Sequence, residues 1–235
     1  MVQIADLNSS IYANTLFAET PSQITINNED ERKKSNDVVK VKNSPVLFNV
    51  NLTSRGSFIS FSNNLLSNSE HNYRKIEGDF SFRMNCDGIC LLHRDDANYL
   101  ILTEVKSGFG QVRKKAYYQL ITSYVKVKSF LATIDTYRQN EYKEIGLVIS
   151  YPDKTIDNND DYQLSRNNVL KNLNSITSAY CHSLKKQQQV DMRMKDFGID
   201  KMHVSPNQIN QVLRVKYVSA PCEAKTHTID LDEII

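Results

Sequence analysis

Residues 78–106 alternate short apolar runs with polar breaks, a pattern that buries itself best as neighbouring strands of a sheet. Gly78–Asn85, Cys86–Leu92 and Tyr99–Lys106 read as three strands, and His93-Arg-Asp-Asp-Ala-Asn98 supplies turn chemistry between the last two. A helix is predicted next, over Gln111–Leu131, because Val112, Ala116, Leu120, Tyr124 and Val127 recur at three- or four-residue intervals. Glu144–Ser150 then reads as a buried strand ended by Tyr-Pro-Asp. Strands followed by a helix and a further strand predict an α/β fold built on a mixed sheet.

Within this frame Asp87 and the Glu104-Val105-Lys106 triplet carry the chemistry. Side chains alternate across a strand, so Glu104 and Lys106 share a face with Leu100 and Leu102, and an apolar row ends in a charged pair. If the last two strands pair as a hairpin, Asp87 falls beside the end of its neighbour. Two carboxylates are suitable ligands for magnesium, a hard cation that takes oxygen donors and keeps several waters beside a phosphate. Such a metal acidifies water and shields phosphate charge, while a lysine positions the water and offsets the negative charge that builds up. The plainer reading is a solvated strand end whose charges contribute little to stability. Glu31-Arg-Lys33, Glu141-Tyr-Lys143 and Glu223-Ala-Lys225 repeat the triplet spacing, but none combines a preceding apolar strand, an aspartate on a neighbouring strand and a following helix.

Asp87, Glu104 and Lys106, in a strand, strand, strand, helix, strand order, resemble the core of the PD-(D/E)XK phosphodiesterase superfamily. The resemblance covers about Glu70–Ser150, and Cys86 stands where the signature has proline. It implies a three-layer αβα fold with a restriction-endonuclease-like core. It further implies magnesium- or manganese-dependent hydrolysis of DNA, with Asp87 and Glu104 as metal ligands and Lys106 placing the water. Many members add an acidic residue on the first helix, a place that Glu70 or Glu77 would fill. A glutamine on the later helix approaches the site in some members, which nominates Gln119; Ser123 rather than tyrosine stands four residues on, so the fuller pattern is not met. For Glu70, Glu77 and Gln119 the alternative is an ordinary surface side chain. A restriction, defence or recombination nuclease of this kind acts as a dimer or beside a specificity or helicase subunit.

Every charged residue between Val105 and Asp135 is basic: Lys106, Arg113, Lys114, Lys115, Lys126 and Lys128. Lys126 and Lys128 fit a solvated helix face, whereas Arg113, Lys114 and Lys115 open the helix, where cations are poorly placed for stability, and are the candidate contacts to a DNA backbone. With a net charge of only +2 over 235 residues, any nucleic-acid surface is local. The four cysteines, Cys86, Cys90, Cys181 and Cys222, form no C-x-x-C pair and point to a reducing cytoplasm. A zinc site drawing on Cys181, His182, Cys222 or His227 has poor spacing. Asp157–Asp161 lacks the glycine and closing glutamate of a calcium loop. The first residues lack a secretory pattern, and no apolar run is long enough to span a bilayer.

The chain divides into a polar, partly flexible N-terminal segment (1–45), the core (46–150) and a C-terminal extension packing on it (151–235). Val38–Leu52 suggests a hairpin, Ser57–Asn72 a helix, Val169–Leu184 an amphipathic helix and Gln211–Ser219 a final strand. The acidic and apolar tail Asp230–Ile235 suggests a partner contact. The rival to the nuclease is a non-catalytic nucleic-acid-binding or assembly protein on the same fold.

Overall fold

The computed structural model describes residues 2–8, 17–28, 49–61, 84–95, 97–108, 115–152, 176–197, 199, 210, 212–222 and 224–235. Glu70, Glu77, Arg113, Lys114 and the acidic run 157–161 lie outside them. So do 78–83 of the first expected strand, 38–48 of the expected hairpin and 169–175 of the expected C-terminal helix.

A short helix α1 (Ile4–Asn8) precedes two long strands, β1 (Phe17–Asn27) and β2 (Asn49–Phe61). The predicted hairpin follows as β3 (Gly88–His93) and β4 (Asn98–Lys106), then α2 (Tyr117–Leu131) and β5 (Tyr142–Ser150). The chain continues through α3 (Ile176–Gln187), β6 (Gln189–Arg193), β7 (Val212–Ser219), β8 (Thr226–Asp230) and α4 (Leu231–Ile234). The strands form one open eight-stranded sheet in the order β1-β2-β3-β4-β5-β7-β6, with β8 pairing to β2. It is mixed: β1 to β4 are antiparallel, β4, β5 and β7 run parallel, and β6 is antiparallel to β7.

Alternation along each strand separates two apolar cores. Leu100, Leu102, Val148, Val215 and Tyr217 pack with α2 on one face. Tyr99, Ile101, Val105, Leu147 and Ile149 lie on the other, against Ile24, Ile26, Leu52, Ile229 and Leu231. Among the described residues the second face is covered by curled strands and the short α4. The curl is visible in β2, whose first half pairs with β8 and whose second half pairs with β3. Gly56 sits between the halves, where a Cβ would come within 2.2 Å of the His93 carbonyl, so any side chain would push the two strands apart.

Three expectations change. Residues 57–61, expected to open a helix, continue β2, where Phe58, Ile59 and Phe61 are buried; their serine- and asparagine-rich sequence masked a strand that tertiary packing selects. Residues 17–27, assigned to the polar N-terminal segment, form β1, which buries Ile24 and Ile26. The tail folds back onto the chain itself: β8 pairs in parallel with β2, and Leu231 enters the second core.

Asp232 fastens that tail. Its carboxylate accepts hydrogen bonds from Ser54 Oγ at 2.7 Å, Arg94 Nη1 at 2.7 Å and the Arg55 backbone N–H at 2.9 Å. The Ser54 hydroxyl, the Arg94 guanidinium and the Arg55 amide hold its pKa well below the ordinary carboxylate value. The folded state therefore prefers the ionised form. Its stabilisation is fully present above the unfolded pKa of about 4 and is lost as pH falls below that and through the lowered folded value. Asp232→Ala is expected to cost about 2 kcal/mol at neutral pH, the scale of charge-assisted hydrogen bonds. Urea unfolding checks this: the gap between the native chain and the variant holds from pH 8 to 5 and narrows below about pH 4.

Candidate active site at the carboxyl ends of the parallel strands

The parallel strands β4, β5 and β7 all end at one edge of the sheet, the edge at which open α/β sheets present ligand sites. Glu104 and Lys106 close β4 there. The β3–β4 register pairs Gly88 with Thr103, so one step further Asp87 faces Glu104. The Asp87 carboxylate turns across the gap, its Oδ2 accepting the Val105 backbone N–H at 2.8 Å. Glu104 and Lys106, two residues apart on the same face, form an ion pair through Oε1 and Nζ. Asp87, Glu104 and Lys106 are 5, 0 and 1 % exposed, so this is not a solvated strand end.

Burial first, and then the negative charges of Glu104 and Asp87, push the pKa of Cys86 up to about 12. One sulfur therefore sits within electrostatic reach of both. Cys90 and Cys181 are also buried, and Cys222 is exposed. Native labelling with an alkylating reagent at pH 8 is expected to modify Cys222 within minutes, and Cys86, Cys90 and Cys181 only after unfolding; peptide mass spectrometry reads the order.

The row continues across the sheet. Glu104 pairs with Val148 on β5 and Val148 with Tyr217 on β7, while Lys106 pairs with Ser150. Ser150 Oγ lies 3.3 Å from Tyr217 Oη, adding two hydroxyls to this edge. On the other side, a groove of about 370 Å³ reaches Asp87, lined by Gln23, Thr25 and Asn27 of β1, Ser60 of β2, and Gly88. Gly88 lies close against Ile26: a Cβ here would stand 2.3 Å from Ile26 Cδ1, so a larger residue would displace the Ile26 side chain.

Helix α2 lies behind the site and is buried almost all round. Gln119 is not a surface amide: it is 8 % exposed, and its Nε2 donates to the Asn85 carbonyl at 3.0 Å. Its Oε1 is buried with no hydrogen-bond partner among the described residues, as suits an amide whose bonding a ligand or water completes. Lys126 and Lys128, expected on a solvated face, are buried as well. Lys126 donates to Asn85 Oδ1 at 2.7 Å. Lys128 pairs with Glu144 and donates to Tyr137 Oη at 2.6 Å. Their burial follows from polar partners far away in sequence, which a helical pattern does not reveal. Of the trio opening the helix, Lys115 is described and is exposed.

Two carboxylates fit a magnesium or manganese ion that keeps waters and takes substrate phosphate. Among the described residues no third histidine, cysteine or acidic side chain joins them. Ser150, Tyr217, Ser123, Lys126 and Asn85 were not singled out as site neighbours from sequence. Only Ser150, as the last residue of an obvious strand lying parallel to β4, carried a signal.

Comparisons with protein-family models, with curated proteins and with solved structures return no match. The chain's own geometry defines an α/β protein with a buried acidic and basic constellation at the carboxyl edge of a mixed sheet. Among the described residues no helix is long and apolar enough to cross a membrane.

Proposed function

We propose that the chain is a metal-dependent nuclease hydrolysing DNA phosphodiester bonds, a PD-(D/E)XK enzyme with a restriction-endonuclease-like core acting in restriction, defence or recombination. The supporting observation is the opposition of Asp87 and Glu104 across the β3–β4 hairpin, with Lys106 already on Glu104.

In this reading Asp87 and Glu104 would hold the metal, which would supply an acidified water and shield the phosphate. Lys106 is drawn from Glu104 toward the attacking water and the phosphate, where its ammonium offsets charge built up in the transition state. Its role is to position the water and neutralise charge rather than to take a proton. The groove on the Asp87 side gives the backbone its approach, and its β1 amides and hydroxyls suit sugar and phosphate oxygens. Lys115, with Arg113 and Lys114, contributes sequence-independent attraction to DNA. Glu70 and Glu77 are the candidates for a third acidic ligand. A second copy of the chain or a separate specificity or helicase subunit would supply target choice.

One observation favours the rival reading, a nuclease-like fold used only for binding or assembly: Glu104 and Lys106 are almost wholly buried and already form an ion pair. Incubation of plasmid, linear duplex and single-stranded DNA, and of RNA, with magnesium, manganese or chelator separates the two. The nuclease reading expects DNA cleavage that needs the metal. Binding without cleavage under every metal condition supports the rival.

A further inference from the structure

The segment entering the site, Met84 to Cys86, has no regular secondary structure, yet polar groups from a single stripe of α2 hold it. Thr122 Oγ1 approaches the Met84 carbonyl at 2.5 Å, and Gln119 Nε2 donates to the Asn85 carbonyl at 3.0 Å. The Cys86 backbone N–H donates to Ser123 Oγ at 2.8 Å, and Lys126 Nζ donates to Asn85 Oδ1 at 2.7 Å. Positions 119, 122, 123 and 126 follow the i, i+3, i+4, i+7 spacing of one helix face. That face is sealed against the sheet: Thr122 and Ser123 are 0 % exposed and Lys126 is 2 % exposed. An apolar stripe would pack there with less desolvation, whereas polar partners fix one conformation of the chain they grip.

We propose that Ser123 and Lys126 are positioning residues for the metal site. Through the Cys86 amide and the Asn85 side chain they set the chain direction into Asp87, so that its carboxylate meets Glu104. The proposal rests on the nuclease reading and deepens it by assigning the preorganisation of one metal ligand to α2. Neither residue touches the metal. Loss of either loosens Asp87, which weakens metal binding while leaving the chemistry intact once metal is forced on.

The test measures manganese binding by calorimetry and the manganese dependence of DNA cleavage. It compares the native chain with Ser123→Ala, Lys126→Met and, should either fold poorly, Asn85→Ala. Lys128→Met is the control, because it removes a buried lysine from the same helix. Its partner Glu144 pairs with Leu100, four residues along β4 from Glu104 and about 13 Å away. The expected result is manganese affinity about 10- to 100-fold weaker in the Ser123, Lys126 and Asn85 variants. The metal concentration for half activation should move by the same factor, the rate at saturating manganese should be close to native, and Lys128→Met should bind manganese like the native chain. Native affinity in the site-side variants overturns the proposal, as does an equal loss in Lys128→Met. A native chain that neither binds manganese nor cleaves DNA overturns the nuclease reading itself.

Discussion

Glu104→Gln and Asp87→Asn are each expected to lower metal-dependent DNA cleavage by about a thousandfold, the scale of losing a transition-state electrostatic group. Both replacements keep the shape of the side chain and remove the charge that a divalent cation needs. Single-turnover cleavage at rising manganese separates the causes: a lost ligand leaves the rate low even at concentrations that saturate the native chain. Glu104→Gln also frees Lys106 from its buried partner, so the variant's fold must be checked by circular dichroism before its rate is interpreted. Lys106→Met is expected to bind manganese at native strength or better, because an ammonium competing for Glu104 is gone, and yet to cleave slowly. Full activity in Glu104→Gln would transfer the chemistry elsewhere in the molecule.

The second large effect is on stability and lies at the opposite end of β5. Lys128, fully buried, pairs with Glu144, whose carboxylate also accepts the Tyr124 hydroxyl and, at 2.6 Å, the Asn210 amide. Burial lowers the pKa of Lys128 while the Glu144 carboxylate pulls it back up. Burial and the adjacent Glu144 charge together raise the pKa of Tyr124, so its hydroxyl stays protonated and donates. Lys128→Met leaves a buried carboxylate without its cation and is expected to cost about 3–5 kcal/mol. For a chain of this size that lowers the melting temperature by roughly 10 °C. Glu144→Leu in the Lys128→Met background removes the stranded charge and should recover most of the loss. Calorimetric melting of the two single variants and the double variant reads both effects.

The parts of this fold that could be read from sequence are those whose signal is local. The β3–β4 hairpin follows from alternating apolar residues around a turn, and β5 from one uninterrupted apolar run. Opposing Asp87 and Glu104 needed only that hairpin and the period of two along a strand. What sequence hid depends on distant partners. Lys126 and Lys128 look like surface lysines because lysine is ordinarily solvated, and their burial depends on Asn85, Tyr137 and Glu144, which other parts of the chain bring up. β2 looks helical or irregular because its serines and asparagines pair with strands on both sides. The tail looks free because Arg94 and Ser54, which hold Asp232, lie more than a hundred residues earlier. The metal ligands suggested outside the described residues, Glu70 and Glu77, rest on the family resemblance alone.

Asp87 and Glu104 are proposed to share one divalent cation. The most direct measurement is an anomalous difference map from a crystal soaked in manganese. The expected map has a peak with oxygens of both carboxylates at about 2.1 Å and with Lys106 withdrawn from Glu104. A map with no peak between them, and with the Glu104 to Lys106 pair intact at saturating manganese, would contradict it.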